Sequence, residues 1–245
     1  SSGVMLTSGS YHATMSYDPV GTVSSTTVYP GGFDNIEIAG TDITGALTSG
    51  KIGAMIALRD QTLPDEQEKL DEIARVLSDQ VNALTNQGTP VPPRNSITGY
   101  TVTSSGAALG ATGFWRVAVT DADGVVQSYT DIDLSTLATV GDLVTALNGI
   151  AGVTASVNAS GNLEIETVNP DNGIAINEMD SDIGGLGAAH FFGLNNLFEG
   201  NNGNPITASN IQLSAFLVAN ANEFPTGALS ASATLAVGDN GVTKG

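Results

Sequence analysis

The strongest hydrophobic periodicity of the chain follows a clear helix start. Thr62–Pro64 provides a capping hydroxyl and a proline suited to the first turn, and Gly88 and Pro90 end the pattern. This pattern predicts an amphipathic helix over residues 63–86, about 36 Å long. We expect its apolar stripe to be buried within the same molecule rather than exposed as a docking surface. The stripe comprises Leu70, Ile73, Ala74, Leu77, Val81 and Leu84.

Shorter patterns precede this helix. Apolar residues at helical spacing predict another helix over about residues 50–60, which would end near Arg59. Further upstream, runs rich in β-branched residues predict strands at Met5–Ser16, Thr22–Tyr29 and Phe33–Ile38.

A proline-rich segment at residues 89–95 introduces a pattern typical of β-structure. Phe114–Val119 and Val125–Tyr129 flank an Asp-Gly turn and predict a hairpin. A capping sequence at Thr139 predicts one short helix over about residues 140–148. A second hairpin and a further strand are predicted at Val153–Val157, Leu163–Thr167 and Ile174–Ile176.

The remainder of the chain is richer in loops. It contains an apolar patch at Phe191–Leu194 and a short alternating segment at Ile211–Leu213, and little periodicity follows. The predicted fold class is α+β, with a helical stem that holds the long amphipathic helix and an antiparallel β-rich outer domain. We assign these parts as residues 1–92 for the stem domain, 93–185 for the outer domain and 186–245 for a return segment to the stem domain.

Charge and composition exclude several classes of partner and site. The 245 residues contain 25 Asp or Glu against 7 Lys or Arg, a formal net charge of -18. Such a surface repels phosphate groups, so we expect no binding to nucleic acid or to membranes. Cysteine is absent, which excludes disulfides, thiolate zinc sites and cysteine nucleophiles.

The start of the chain carries no sign of a targeting segment. It shows no basic region followed by an apolar stretch, so no signal peptide is predicted. It also lacks an initiator methionine, and we expect the sequence to be a piece of a longer protein.

The two histidines are the first candidates for chemistry. His12 and His190 are far apart in the sequence, and no nucleophile elbow, phosphate-binding loop or paired-histidine zinc motif is present. Structural or solvated roles are therefore expected for both. We predict no catalytic, cofactor-binding or metal-ligating residues.

Two pairs of aspartates superficially resemble parts of calcium loops. Asp121 and Asp123 precede a glycine, but apolar residues stand where a helix-loop-helix calcium site needs further oxygen ligands. Asp180 and Asp182 lack the additional aspartate of the nonapeptide repeat. Turns are the favoured interpretation, and a weak surface cation site stays open as an alternative.

Several segments resemble flagellar hook-associated protein 1. The run Gly50–Pro64, with its Arg-Asp-x-x-Leu-Pro corner, and the helix that follows with Val81–Ala83 are similar to that family. Phe191–Asn195 resembles its Phe-Phe-Gly-Leu-Asn segment, and residues 132–176 are similar to a small insertion module that flagellins and hook-associated proteins share. Shorter similarities occur at Asp42–Gly45 and Gly238–Asn240.

The resemblance implies a structural, non-enzymatic role at the joint between flagellar hook and filament. The protein would be extracellular after passage through the flagellar export channel, and it would act by subunit packing. The implied partners are other copies of itself, the hook protein, a second junction protein and an export chaperone that binds a C-terminal region absent here. The family's terminal polymerisation helices are missing from both ends, so we expect the isolated chain to be a soluble monomer.

Two other classes of function remain open from the residues alone. A β-rich, acidic chain rich in Gly, Asn and Thr also suits an extracellular carbohydrate-binding or adhesin module, although aromatic residues make up only 5% of it. A hydrolase with a pair of Asp or Glu residues is the other, because such pairs converge only in the folded chain.

Overall fold

The fold combines helices with antiparallel sheets, as the α+β prediction requires. The computed structural model describes residues 5–24, 26–201 and 204–244. The chain divides into two compact units, Ser1–Ile73 and Ala74–Gly245. The assignment of stem, outer domain and return segment at residues 1–92, 93–185 and 186–245 stays a prediction.

Short antiparallel strands form the N-terminal part of the first unit. Strand β1 (Thr7–Ser8) pairs with β2 (Tyr11–His12). A three-stranded sheet consists of β3 (Met15–Ser16), β4 (Glu37–Ile38) and β5 (Thr41–Asp42).

The sequence pattern predicts longer strands in this part than the structure contains. Met5–Ser16 contains three short strands instead of one, because Gly9 takes a left-handed φ of 58° and turns the chain. The described part of Thr22–Tyr29 contains no strand, and Ser25 lies outside the described residues. Most apolar side chains before residue 30 are exposed, so no buried face extends these strands.

The helical region follows as predicted. Helix α1 (Gly50–Ala57) continues through a π-helical turn, Leu58–Thr62, into helix α2 (Leu63–Asn86). The bounds of α2 confirm the prediction of a helix over residues 63–86. Its first turn holds Asp65 and Glu66, and it is reached without a break in the helical backbone.

Two three-stranded antiparallel sheets form the centre of the second unit. Their strand orders are β10-β11-β6 and β12-β8-β9, and β13 pairs with β7. Both predicted hairpins are confirmed, as β8 with β9 and β10 with β11. The strands are β6 (Ser96–Val102), β7 (Ala111–Thr112), β8 (Phe114–Thr120), β9 (Val126–Asp133), β10 (Val153–Val157), β11 (Asn162–Thr167), β12 (Gly173–Asn177) and β13 (Asp182–Ile183).

Strand β8 is buried on both faces and separates two apolar cores. Trp115, Val117 and Val119 belong to the larger core, while Ala118 between them faces a smaller one. Helix α3 (Val140–Asn148) packs three apolar side chains into the larger core. Its start confirms the predicted cap: Asp142 N donates to Thr139 Oγ1 (3.2 Å) and Thr139 N donates to Asp142 Oδ2 (2.9 Å).

The C-terminal segment has more regular structure than its pattern indicates. The predicted apolar patch forms the end of α4 and is buried at Phe192, and the strand near residue 212 is confirmed. Leu229, Leu235 and Val242 are buried in the smaller core. The elements of this segment are α4 (Ala188–Phe192), β14 (Phe198–Glu199), β15 (Gln212–Leu213), α5 (Ala215–Ala219), β16 (Gly227–Leu229) and β17 (Val242–Lys244).

A buried arginine fastens the C-terminal hairpin to the central sheet. Arg116 is 1% exposed, and its guanidinium binds both carboxylate oxygens of Asp131 on the neighbouring strand at 2.5 and 2.7 Å. Its Nη1 atom donates to the backbone oxygens of Ser230 and Ser232, each at 2.8 Å. One side chain thus holds β8, β9 and the loop between β16 and β17 together.

Candidate interaction surface

Helix α2 exposes its apolar stripe. Leu63, Leu70, Leu77 and Leu84 recur every seven residues and are between 52% and 69% exposed, and Ile73 beside them is 62% exposed. The expectation that the predicted stripe is buried within the molecule is therefore wrong for Leu70, Ile73, Leu77 and Leu84. Of the predicted set only Ala74 is buried, and Leu63 was not part of that set. We call these five exposed residues the leucine stripe.

The buried face of α2 is polar in its C-terminal half. Ser78, Asn82, Thr85 and Asn86 are all less than a tenth exposed. Buried amides are costly unless they are hydrogen-bonded, so the contacts of the two asparagines explain why this face is inside.

Asn82 pairs with the backbone just before and within β14. Its Oδ1 atom accepts hydrogen bonds from Leu197 N and Phe198 N, both at 2.9 Å, and its Nδ2 atom donates to Phe198 O at 2.9 Å. The amide therefore acts like a short piece of neighbouring backbone, because it offers both a donor and an acceptor.

Asn86 extends the same contact by one helical turn. Its Oδ1 atom accepts from Asn195 N and its Nδ2 atom donates to Asn196 Oδ1, each at 2.8 Å. Asn195 Nδ2 in turn donates to Gly88 O at 2.9 Å. Asparagines from two distant parts of the sequence thus form one network, which we call the asparagine joint (Asn82, Asn86, Asn195 and Asn196).

A histidine and a buried carboxylate flank this joint. His190 Nε2 lies 3.3 Å from Asp79 Oδ1 of α2, and burial lowers the pKa of His190 although Asp79 opposes the shift. Glu178 accepts hydrogen bonds from the backbone N–H groups of Ala189 and His190 at 3.1 Å, which caps α4. Burial nevertheless raises the pKa of Glu178.

In the first unit, the Arg59-Asp60 corner is closed by an ion pair. Arg59 Nε lies 2.5 Å from Asp60 Oδ1, and its guanidinium stacks 4.5 Å from the centre of the Phe33 ring. The π-helical turn after α1 is therefore held against the buried ring of Phe33.

The remaining candidate residues serve local structure. Asp121 Oδ1 accepts from the backbone N–H groups of Asp123 and Val125, which supports the turn interpretation. Asp180 accepts from Phe114 N and Asp182 from Gly185 N. His12 is an exposed residue of β2. Within the described residues, no group of three or more His, Asp or Glu side chains could hold a metal ion.

Comparison with known families identifies the N-terminal part of the chain. Residues 1–94 match the model of the flagellar hook-associated protein FlgK helical domain. This N-terminal part is FlgK-like. The match includes the Arg59 corner and α2, and it indicates a structural role among flagellar hook-associated proteins. No curated protein matches the chain as a whole.

The FlgK-like match ends before the β-rich part. Phe191–Asn195, which carries the second half of the asparagine joint, lies beyond the matched residues. None of the helices in the described ranges is long and apolar enough to cross a membrane. Sequence reasoning missed the asparagine joint, although Asn82 and Asn195 both lie in the motifs that resemble the family.

Proposed function

We propose that this FlgK-like chain is part of a structural subunit that joins the flagellar hook to the filament by subunit packing, without catalysis. The leucine stripe carries this proposal. Five large apolar side chains on one helix are mostly exposed, while the same helix buries amides and hydroxyls. Apolar surface of this kind at helical spacing is suited to packing against a further helix.

The exposed apolar area of the stripe is large enough to stabilise a contact with another helix. Full burial of a leucine contributes about 1.5–3 kcal/mol, so covering the exposed half of each residue contributes about 1 kcal/mol. Five residues together contribute about 5 kcal/mol before the cost of ordering the partner. We propose that the stripe packs on a helix outside these 245 residues, and that the isolated chain is monomeric.

The proposed partners are other copies of the protein, the hook protein and a second junction protein, with an export chaperone that binds outside this sequence. Export through the flagellar channel would place the subunit outside the cell. Residues 132–176 would form a flagellin-type insertion module, which the hairpin β10–β11 and the capped helix α3 support. The outer domain would project from the stem.

Deletion of the parent gene tests the junction role. We expect bare hooks by electron microscopy and flagellin shed as monomer into the medium. Normal filaments on the deleted strain would refute the assignment.

Substitution within the stripe tests the surface itself. In the full-length protein, Leu70→Ala with Leu77→Ala should reduce swimming and filament retention, because each change removes apolar area from the proposed contact. Glu68→Ala with Lys69→Ala on the same helix is the matched control, since both residues are exposed and polar. Equal motility of the two double variants would contradict packing through the stripe.

A further inference from the structure

A polar cavity in the second unit lies beside the asparagine joint. Its volume is about 270 Å³, which is near the lower end for small-molecule pockets. The lining includes one cation, two carboxylates, a hydroxyl and an aromatic ring: Arg94, Glu199, Glu223, Ser214 and Phe216.

Arg94 forms one wall of the cavity, and among the described residues no carboxylate lies within ion-pair distance of it, although Glu223 attracts its charge from further away. Its Nη2 atom donates to Leu194 O (3.1 Å) and to Asn195 Oδ1, and its guanidinium stacks 4.7 Å from the centre of the Phe216 ring. Its Nε atom is buried without a hydrogen-bond partner among the described residues. Burial lowers the pKa of Arg94 to about 10. The Nη1 atom also makes no hydrogen bond to a described residue, and it is not fully buried, so it is the donor that a bound molecule can reach.

Other polar groups of the lining also have no partner. Ser214 is 4% exposed, and its hydroxyl makes no hydrogen bond within the described part of the chain. In that same part, neither Glu199 nor Glu223 makes a hydrogen bond through its carboxylate, although Glu223 attracts the Arg94 guanidinium from beyond ion-pair distance. The cavity thus combines an unused donor with unused acceptors.

The charges of the lining select the class of ligand. A simple anion is repelled by the two carboxylates, and a simple cation must lie beside the guanidinium that already interacts with Glu223. A neutral molecule with many hydroxyl groups avoids both penalties, because each hydroxyl can accept from Arg94 and donate to a glutamate. Phe216 remains 42% exposed and offers an apolar surface to the C–H groups of a sugar ring.

We propose that this cavity binds one ring of a neutral saccharide. Arg94 and Ser214 would donate to ring hydroxyls, Glu199 and Glu223 would accept from them, and Phe216 would cover one side of the ring. This site is independent of the junction role, so the failure of either proposal leaves the other intact.

The test is saturation-transfer NMR of the 245-residue chain with methyl glucoside, methyl galactoside and N-acetylglucosamine. We expect at least one of them to bind with a dissociation constant of about 1 mM, as suits a ligand of this size. Glu223→Gln and Ser214→Ala should each weaken binding about tenfold, because the first replaces a charged acceptor with a weaker neutral one and the second removes one hydrogen bond. Glu68→Gln, an exposed site on α2, should leave binding unchanged.

Absence of transfer from all three sugars at about 50 mM, well above the expected constant, would overturn the proposal. Equal binding by the Glu223→Gln and Glu68→Gln variants would overturn it too. Tighter binding of acetate or glycine than of every sugar would show that the cavity prefers charged ligands, which also contradicts the proposal. If Ser214→Ala fails to fold, as judged by the fluorescence of buried Trp115, the Glu223→Gln comparison decides.

Discussion

On helix α2 we expect the truncation of a polar side chain to destabilise the fold more than the truncation of a leucine, which is the reverse of the usual order. Asn82→Ala removes three hydrogen bonds to the backbone of Leu197 and Phe198. At about 1 kcal/mol for each bond the loss is about 3 kcal/mol, and the better helix propensity of alanine returns about 0.6 kcal/mol. We therefore expect a decrease of about 2–4 kcal/mol in the free energy of unfolding. Leu77→Ala on the same helix should cost about 1 kcal/mol or less, because Leu77 is 54% exposed and only the rest of its surface is buried.

Urea unfolding followed by the fluorescence of Trp115 measures both effects. This tryptophan is the only one in the chain, it is fully buried, and it lies in the same compact unit as both substituted residues. Gln80→Ala, an exposed polar position of α2, is the matched control. If Leu77→Ala proves costlier than Asn82→Ala, the burial pattern derived for this helix is wrong.

Two further predictions concern the second unit. Arg116→Met should lower the free energy of unfolding by about 3–5 kcal/mol, since it leaves Asp131 and two backbone carbonyls without their donor. Asp131→Asn should lower it less, because Asp131 is partly exposed. Equal stability of Arg116→Met and wild type in the same urea assay would refute this role of Arg116. His190 should titrate below its usual pKa of 6.5, because its burial outweighs the attraction of Asp79. The unfolded chain then binds more protons as the pH falls below about 6.5, so wild type should lose stability there relative to His190→Gln. Glu178, whose pKa is raised, works in the opposite sense but is common to both proteins. An NMR titration midpoint of His190 above 6.5 would contradict the sign.

The sequence predicted those elements whose signals are local. The end of α2 follows from the Gly88 stop, and α3 follows from its capping box, whereas Thr62 lies in the π-helical turn before α2 and does not cap it. The hairpin of β8 and β9 follows from the Asp-Gly turn. In each case neighbouring residues decide the structure, so distant parts of the chain do not alter the outcome.

The burial of α2 could not be predicted in the same way. An amphipathic pattern identifies an apolar face, but it does not say whether this chain covers that face. The partners of Asn82 and Asn86 lie more than 100 residues further along the chain, so no local signal marked these amides as buried. The same distance explains the C-terminal hairpin, since Leu229 and Val242 become recognisable as core residues only beside Ala118 and Ala175.

The two faces of α2 differ in what they contribute to a subunit that assembles. Hydrogen bonds of the asparagine joint are directional, so they fix the register of the helix against residues 195–198 while using none of its large apolar side chains. The leucine stripe is left free, and apolar contact of this kind supplies affinity with little directional restriction. If both faces were leucine-rich, either face of the helix could be buried within the chain, and the surface proposed for assembly would be hidden. Buried amides paired in this way therefore favour an arrangement in which the chain folds first and still presents an uncovered apolar face to the next helix.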